Sequence, residues 1–309
     1  MTAQTWALIA VVFGILLLAA AAGEQMNRRA PEDPVVRDWN ARTDGWWGMA
    51  VVLGLALFGG FWVVLFLFAF LSFAALREFI TIAHLDRSDH FAWAAVIFLI
   101  LPAQYALVAA DLPRIYSLFI PVYGLVLVPV ISVVTGRTKR FLRRVGSLQM
   151  AMMVCIYGVS HVPALATLNL YGGERQGLFL VAFLAIVTQG ATTLQHLFGR
   201  LYGRTPIAPA LSAKKTWEGF VGGILSAALL GGLFYWITPF SPAAAAGLAF
   251  VATSLGLLAG LVMSAIKRDA GIREWGHSLP GEGGFLDRLD PVVFAAPVFF
   301  HLVRYGWAS

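Results

Sequence analysis

The chain has 309 residues, of which 59% are hydrophobic and only 12% are charged, and its mean hydropathy is +0.78. Soluble domains carry about twice that share of charged residues, so the composition excludes an ordinary soluble protein and indicates an integral membrane protein. The net charge of +6 comes from basic residues that lie between apolar runs, which favours membrane orientation and argues against nucleic-acid binding. The single cysteine, Cys155, excludes an intramolecular disulfide and a cysteine-based zinc site.

Apolar runs in chain order predict an all-α, polytopic membrane fold with about nine transmembrane helices. The first run has no basic residue before it and no convincing cleavage site, so we expect it to be retained as a helix. The second run is longer than one crossing needs and contains Gly59 and Gly60, which favour a tilt, a kink or a course along the interface. The predicted spans lie near residues 6–22, 47–76, 91–110, 115–135, 146–170, 176–198, 219–239, 243–266 and 291–306.

The polar segment 24–46 separates the first two spans. It contains Pro31 and Pro34 and ends in a tryptophan pair that suits a membrane interface. We therefore predict an extramembrane loop over these residues.

The distribution of lysine and arginine predicts the orientation of the chain. The even-numbered loops between spans hold 15 of these residues, and the odd-numbered loops with the C-terminal region hold 7. The positive-inside bias then places the even-numbered loops and the N-terminus in the cytoplasm and the C-terminus outside. We divide the chain into N-terminal transmembrane helices over 1–135 and a C-terminal region over 136–309, with cytoplasmic loops at 199–218 and 267–290.

The last cytoplasmic loop carries the strongest chemical signal. Nine charged residues lie between Lys267 and Asp290, and each would cost roughly 2.5 to 3.5 kcal/mol at the centre of a bilayer, so this segment is not exposed to lipid. The glycine-rich turn 280–284 offers backbone N–H groups that can line an anion, and basic residues flank it. Asp287 and Asp290 are three residues apart, so on a helical turn they share a face and can hold a divalent cation. The segment predicts a site for phosphates and a metal.

The same segment closely resembles the signature of the phosphatidate cytidylyltransferases, which are the CDP-diacylglycerol synthases. That family's pattern reads Ser, two residues, Lys-Arg, four residues, Lys-Asp, then a Pro-x-His-Gly-Gly turn and Asp-Arg-x-Asp. The residues that match at this spacing are Ser264, Lys267, Arg268, Pro280, Gly283, Gly284, Asp287, Arg288 and Asp290.

A second block, residues 198–219, resembles the other cytoplasmic segment of the family. The matching residues are Ser212, Lys215, Thr216, Glu218 and Gly219, and Ala213 stands in place of a proline. Taken alone, Thr216 is equally typical of a helix N-cap. The two blocks together place the resemblance over roughly residues 140–309.

The resemblance implies transfer of a cytidylyl group from CTP to phosphatidic acid, with Mg²⁺ as cofactor, by a multi-pass protein of the cell inner membrane. The substrates and the lipid bilayer are the implied partners, and a homodimer is left open. The implied catalytic residues are Lys215, Lys267, Arg268 and Asp287; the implied substrate-binding residues are Ser212, Lys214, Thr216, Ser264, Gly283, Gly284 and Arg288; the implied metal ligands are Asp287, Asp290 and Glu282. Asp290 and Arg288 are alternatively expected to lock the loop by pairing.

Further positions depart from the family pattern. Thr192 and Gly260 stand where the family has Asp, and Glu282 stands where its turn has His. Arg273-Glu274 stands where the family has Lys-Asp, a change that preserves charge. The loss of two carboxylates either weakens metal binding or is offset by Glu282. Two alternative functions therefore stay open: a catalytically silent relative that binds phospholipid or nucleotide as a regulator, and, less favoured by the nucleotide-type loop, a membrane transporter.

Overall fold

The computed structural model describes residues 3–31, 33–82, 90–134, 139–170, 176–278 and 283–308, and most of them are helical. Short π-helical segments at Val96–Ile100, Phe119–Gly124 and Met152–Gly158 each join two α-helices into one continuous rod. The one sheet in this part of the chain is an antiparallel hairpin of two strands, Pro206–Ala208 and Ser212–Thr216. The elements are α1 (Ala3–Arg29), α2 (Pro34–Ile82), α3 (His90–Ala95), α4 (Leu101–Ala109), α5 (Pro113–Leu118), α6 (Leu125–Val134), α7 (Phe141–Ala151), α8 (Val159–Leu165), α9 (Gln176–Tyr202), β1 (Pro206–Ala208), β2 (Ser212–Thr216), α10 (Trp217–Leu233), α11 (Pro242–Asp269), α12 (Phe285–Leu289) and α13 (Val292–Trp307).

Each predicted apolar run overlaps one of these helices or rods over most of its length, which confirms the all-α polytopic fold. Within the described ranges, seven of them are long and apolar enough to cross a membrane. The helices α10 and α13 are shorter, with 17 and 16 residues. A helix of that length rises about 25 Å, slightly less than the roughly 30 Å of a hydrocarbon core.

The second predicted span is part of a kinked helix. α2 contains 49 residues, and at Gly60 the backbone leaves the helical region, with φ 74° and ψ −164°. A residue with a side chain rarely adopts this φ, so glycine permits the kink. The predicted kink at the Gly59–Gly60 pair is confirmed.

The prediction that residues 24–46 form a loop is wrong, because most of them are helical. α1 continues to Arg29, and α2 already begins at Pro34. Low hydropathy shows that a segment avoids lipid, but it does not prevent a helix from continuing into water. Proline suits the first turn of α2 because the amide N–H groups there have no partner within the helix.

Close helix contacts fix the start of α13, and hence the polar segment that precedes it. A Cβ atom on Gly256 of α11 would lie 2.5 Å from the carbonyl oxygen of Pro291. Gly158, before α8, approaches the backbone of Val293 in the same way. Side chains at these two glycines would push α13 away, so the glycines hold the end of the signature segment against the helix bundle.

Candidate functional site

Both signature segments contain regular secondary structure where the sequence predicts the loops 199–218 and 267–290. α9 continues to Tyr202, and the β-hairpin follows it. α11 continues to Asp269, so Lys267 and Arg268 lie in its last turn. Cations are favoured there because the C-terminal end of a helix carries a partial negative charge.

Lys267 joins the two aspartates of the signature. Its Nζ lies 2.8 Å from Asp287 Oδ1 and 3.4 Å from Asp290 Oδ2. The three side chains are only 11%, 14% and 12% exposed. The predicted shared face of Asp287 and Asp290 is therefore present, and a lysine of α11 occupies it. Asp290 pairs with Lys267, and Arg288 is half-buried on α12 beside Asp287.

The other oxygen of Asp287 holds the turn before α12. Asp287 Oδ2 accepts hydrogen bonds from the backbone N–H of Trp275 at 2.9 Å and of Gly284 at 3.0 Å. Gly283 has φ 87°, and a Cβ atom on it would lie 2.7 Å from this oxygen. The Gly284 N–H, which the sequence offers to a substrate anion, is thus bonded to the chain's own carboxylate.

Asp290 uses only one of its two carboxylate oxygens in the ion pair with Lys267. Asp290 is buried between α12 and α13, and within the described ranges its Oδ1 has no hydrogen-bond partner. Burial raises the pKa of Asp290 to about 7, because the loss of hydration outweighs the attraction of Lys267 and Lys215. A buried acceptor without a donor is costly, so Asp290 Oδ1 is a candidate contact for a ligand at this site.

Lys215 reaches from β2 to α11. Its Nζ lies 2.7 Å from the carbonyl oxygen of Gly260 and 3.3 Å from Ser264 Oγ, and Ser264 Oγ donates to the same carbonyl at 2.6 Å. Burial lowers the pKa of Lys215 to about 8. Gly260, Ser264 and Lys267 are spaced by three or four residues and share one face of α11, which brings both signature segments together.

Arg268 makes a second contact between the two segments. Its Nε donates to the carbonyl oxygen of Leu211 at 3.2 Å, and its Nη1 donates to that of Ile272 at 2.7 Å. The side chain is nonetheless exposed, so the guanidinium group can also meet a ligand from water. Ser212 pairs with Ala208 in the hairpin. The side chain of Lys214, which is also in β2, lies outside the described part of the structure.

Thr216 and Glu218 organise the hairpin. Thr216 Oγ1 accepts a hydrogen bond from Gly219 N at 3.2 Å, which confirms Thr216 as a helix N-cap, a role compatible with the implied contact to substrate. The Glu218 carboxylate accepts hydrogen bonds from the backbone N–H of Arg204 at 3.1 Å and of Thr205 at 3.2 Å. Both residues therefore help to position β2, the strand that carries Lys215.

Sequence reasoning missed Glu78, near the end of α2. This carboxylate is buried, and it accepts hydrogen bonds from Ser278 Oγ and from the backbone N–H of Phe285 and Leu286. The available signal was a charged residue at the end of an apolar run, which is rarely without a partner. The motifs gave no reason to link it with a segment 200 residues later.

Asp287 and Asp290 suit a hard cation only when a bound substrate supplies further oxygen ligands. Asp287 and Asp290 offer oxygen donors, and Asp290 Oδ1 has no competing donor among the described residues. No set of three or more His, Cys, Asp or Glu residues that could hold a metal occurs within the described ranges, and Glu282 lies outside them. Mg²⁺ is often held by one or two carboxylates with substrate phosphates and water, so the residues fit that arrangement.

Gly260 and Thr192, which stand where the family has Asp, lie in different surroundings. Gly260 lies beside Lys215, and a Cβ atom on it would lie 3.2 Å from Lys215 Nζ. Thr192 donates its hydroxyl to the carbonyl oxygen of Thr188 on its own helix, α9, at 3.0 Å. Position 260 therefore faces the charged cluster of Lys215, Lys267, Asp287 and Asp290.

Comparison with known proteins identifies the family of the chain. The profile of the Cytidylyltransferase family matches residues 40–306, well beyond the part in which the motifs lie. An uncharacterized protein of Escherichia coli, YnbB, is 32% identical over 303 residues, which cover 96% of this chain and 97% of that protein. Phosphatidate cytidylyltransferases of Staphylococcus saprophyticus and Haemophilus influenzae are each 32% identical, over 146 and 132 residues. These matches cover 47% and 40% of this chain and 56% and 45% of the two transferases.

Proposed function

Because the chain belongs to the cytidylyltransferase family, we propose that it transfers the cytidylyl group of CTP to phosphatidic acid in the cell inner membrane. A phosphate oxygen of phosphatidic acid attacks the α-phosphorus of CTP. A new P–O–P bond forms, the bond between the α-phosphorus and the bridging oxygen breaks, and pyrophosphate leaves. The products are CDP-diacylglycerol and pyrophosphate.

One observation carries the proposal: two separate polar segments place Lys215, Lys267, Asp287 and Asp290 together at one end of the helix bundle. Phosphoryl-group transfer of this type needs no enzyme nucleophile, because positioning and charge neutralisation provide most of the rate. A cluster of lysines and carboxylates beside the membrane surface supplies both.

The basic residues of the site would bind the phosphates of CTP. Lys215 and Arg268 would bind phosphate oxygens of CTP, and Ser264 would donate its hydroxyl to the same anion. Lys267 is paired with Asp287, and it would exchange this carboxylate for a phosphate oxygen as CTP enters. The positive charge held by the site would then offset the charge that develops on the leaving pyrophosphate.

We propose Asp287 and Asp290 as the ligands of Mg²⁺, with Glu282 as a third candidate. When bound, the cation would polarise phosphate oxygens and neutralise their charge. Asp290 contributes the buried oxygen without a donor, and Asp287 contributes the oxygen that Lys267 releases. The acyl chains of the lipid substrate would remain between apolar helices in the bilayer.

The direct test uses the purified full chain in phospholipid vesicles with CTP labelled at the α-phosphate, Mg²⁺ and phosphatidic acid. We expect label to enter the lipid phase and pyrophosphate to appear in equal amount. Diacylglycerol is the matched control acceptor, because it lacks the attacking phosphate and should gain no label. Absence of lipid label with phosphatidic acid would overturn the proposed reaction.

A catalytically silent relative is the second candidate function, favoured by Gly260 and Thr192 at positions where the family has Asp. Such a protein would bind CTP or phosphatidic acid through Lys215 and Lys267 without turnover. Saturable binding of CTP to the purified chain, with no label transferred to lipid, would support this candidate over the enzyme.

A further inference from the structure

Glu78 connects the first part of the chain to the signature segment. It lies near the end of α2 and is 6% exposed. Its Oε1 accepts hydrogen bonds from Ser278 Oγ at 2.8 Å and from Phe285 N at 3.0 Å. Its Oε2 accepts one from Leu286 N at 2.9 Å. Phe285 and Leu286 are the first residues of α12, and such N–H groups have no partner within their own helix.

The backbone around Glu78 is shaped to admit its carboxylate. A Cβ atom on Gly276 would lie 3.0 Å from Glu78 Oε1, and one on Gly284 would lie 2.7 Å from the Glu78 carboxyl carbon. Both distances are shorter than ordinary contacts, so larger residues at these positions would push Glu78 out. Gly276 and Gly284 therefore both allow a close approach of the Glu78 carboxylate to the backbone.

The contact bears directly on Asp287. Asp287 Oδ2 accepts a hydrogen bond from Gly284 N, and Glu78 accepts from the next two N–H groups. Two carboxylates therefore hold three successive N–H groups at the start of α12. A five-residue helix has little rigidity of its own, so these bonds determine where it lies.

We propose that Glu78 is the positioning residue of the site: it fixes α12 and thereby sets the position of the Asp287 carboxylate beside Lys267. Glu78 acts through α12 and touches none of the reacting groups. The consequence for catalysis rests on the proposed function, whereas the anchoring of α12 does not.

The test compares wild type with Glu78→Gln, which keeps the shape but replaces one acceptor oxygen with an NH₂ donor. That donor would face at least one N–H group of α12. Hydrogen exchange should become at least about tenfold faster at residues 284–287 and stay unchanged elsewhere. The Mg²⁺ concentration for half-maximal activity should rise about tenfold, as is common when a group that orients a metal ligand is lost. A smaller fraction of folded protein would not change this concentration.

Two control variants separate the local contact from general effects. Arg77→Gln also changes one charge on the same turn of α2, but Arg77 is exposed, so we expect no change in exchange or in Mg²⁺ requirement. Ser278→Ala removes one bond to Glu78 and leaves both α12 bonds, so its Mg²⁺ requirement should stay within about twofold of wild type.

A second variant keeps the test decisive where Glu78→Gln fails to fold. Gly284→Ala crowds the same carboxylate from the other side and should give the same local pattern. Wild-type exchange at 284–287 together with a wild-type Mg²⁺ requirement would overturn the proposal, and so would faster exchange throughout the chain with that requirement unchanged. If wild type transfers no label to lipid, the proposed function fails, and exchange at 284–287 alone decides the positioning role.

Discussion

Lys267 Nζ lies 2.8 Å from Asp287 Oδ1. The lysine that we propose to bind phosphate therefore forms an ion pair with the carboxylate that we propose to bind the metal. Both side chains are mostly buried, and each would be costly to desolvate alone. The pair stabilises both buried charges, and it also means that the lysine and the carboxylate become available to ligands together.

Asp287→Asn should lower turnover by at least about hundredfold if Asp287 is the metal ligand that we propose, because a ligand matters at least as much as the groups that orient it. A loop position exposed to water would leave stability unchanged. The structure instead predicts a loss of about 1 to 3 kcal/mol in the free energy of unfolding, because the buried carboxylate also accepts from Trp275 and Gly284.

Activity and thermal unfolding of Asp287→Asn, compared with those of Asp269→Asn, check this prediction. Asp269 is an exposed carboxylate at the end of α11, and its loss should affect neither quantity. Wild-type turnover in Asp287→Asn would remove Asp287 from the reaction.

The pKa of Lys215 predicts an alkaline limit for CTP use. Burial lowers this pKa to about 8, so kcat/KM for CTP should fall as pH rises above 8 and the ammonium loses its proton. The unfolded chain keeps the lysine proton up to pH about 10.4, so the stability contribution of Lys215 rises with pH between these values. Unfolding driven by Lys215 therefore does not explain a loss of activity in this window.

Lys215→Arg tests that limit, because arginine stays charged throughout the range. Where the guanidinium is accommodated, kcat/KM should stay level between pH 7.5 and 9.5, and Lys215→Ala should be low at every pH. The same alkaline fall in wild type and Lys215→Arg would assign it to another group.

Hydropathy and spacing predicted the parts of the structure that depend on local sequence. The apolar runs gave the helices because a membrane crossing needs about 20 apolar residues. The three-residue spacing of Asp287 and Asp290 gave their shared face because neighbours at that spacing align on a helical turn. Thr216 was recognisable as a cap from its residue type and its place before an apolar run.

The parts that were missed depend on contacts between distant segments or on properties that hydropathy does not measure. Glu78 meets Leu286 across 208 residues, and no local pattern records that contact. The helical ends of α1 and α2 were read as a loop because their residues are polar, although polar residues form helices readily in water. The ion pair of Lys267 with Asp287 joins two motif residues whose mutual distance no motif specifies.

The charge distribution predicts which side of the membrane holds the site. In a Cys155→Ser background, Thr205→Cys and His277→Cys should be protected in intact cells from a thiol reagent that does not cross the membrane, and Ala41→Cys should react. All three positions are exposed to solvent or lipid in the structure, so burial within the protein does not explain protection. Permeabilised cells provide the control, in which all three should react; labelling of His277→Cys from outside would reverse the orientation.

Gly260→Asp tests whether a missing family carboxylate can be restored. The new Cβ atom would lie 3.2 Å from Lys215 Nζ, so the flexible lysine must shift slightly and would pair with the added charge. An additional oxygen donor on the face of α11 that carries Ser264 and Lys267 should bind a hard cation more tightly. We therefore expect a lower Mg²⁺ concentration for half-maximal activity.

The same substitution should affect CTP in the opposite direction. A Lys215 ammonium paired with the introduced carboxylate would attract phosphate less strongly, so KM for CTP should rise by about three- to tenfold, equivalent to about 0.7 to 1.4 kcal/mol. Gly260→Ala adds the Cβ atom without the charge and should change neither quantity by more than about twofold. Steady-state kinetics over a matrix of Mg²⁺ and CTP concentrations separate the two effects. If both quantities in a folded Gly260→Asp protein equal those of Gly260→Ala, then position 260 contributes neither to cation binding nor, through Lys215, to phosphate binding.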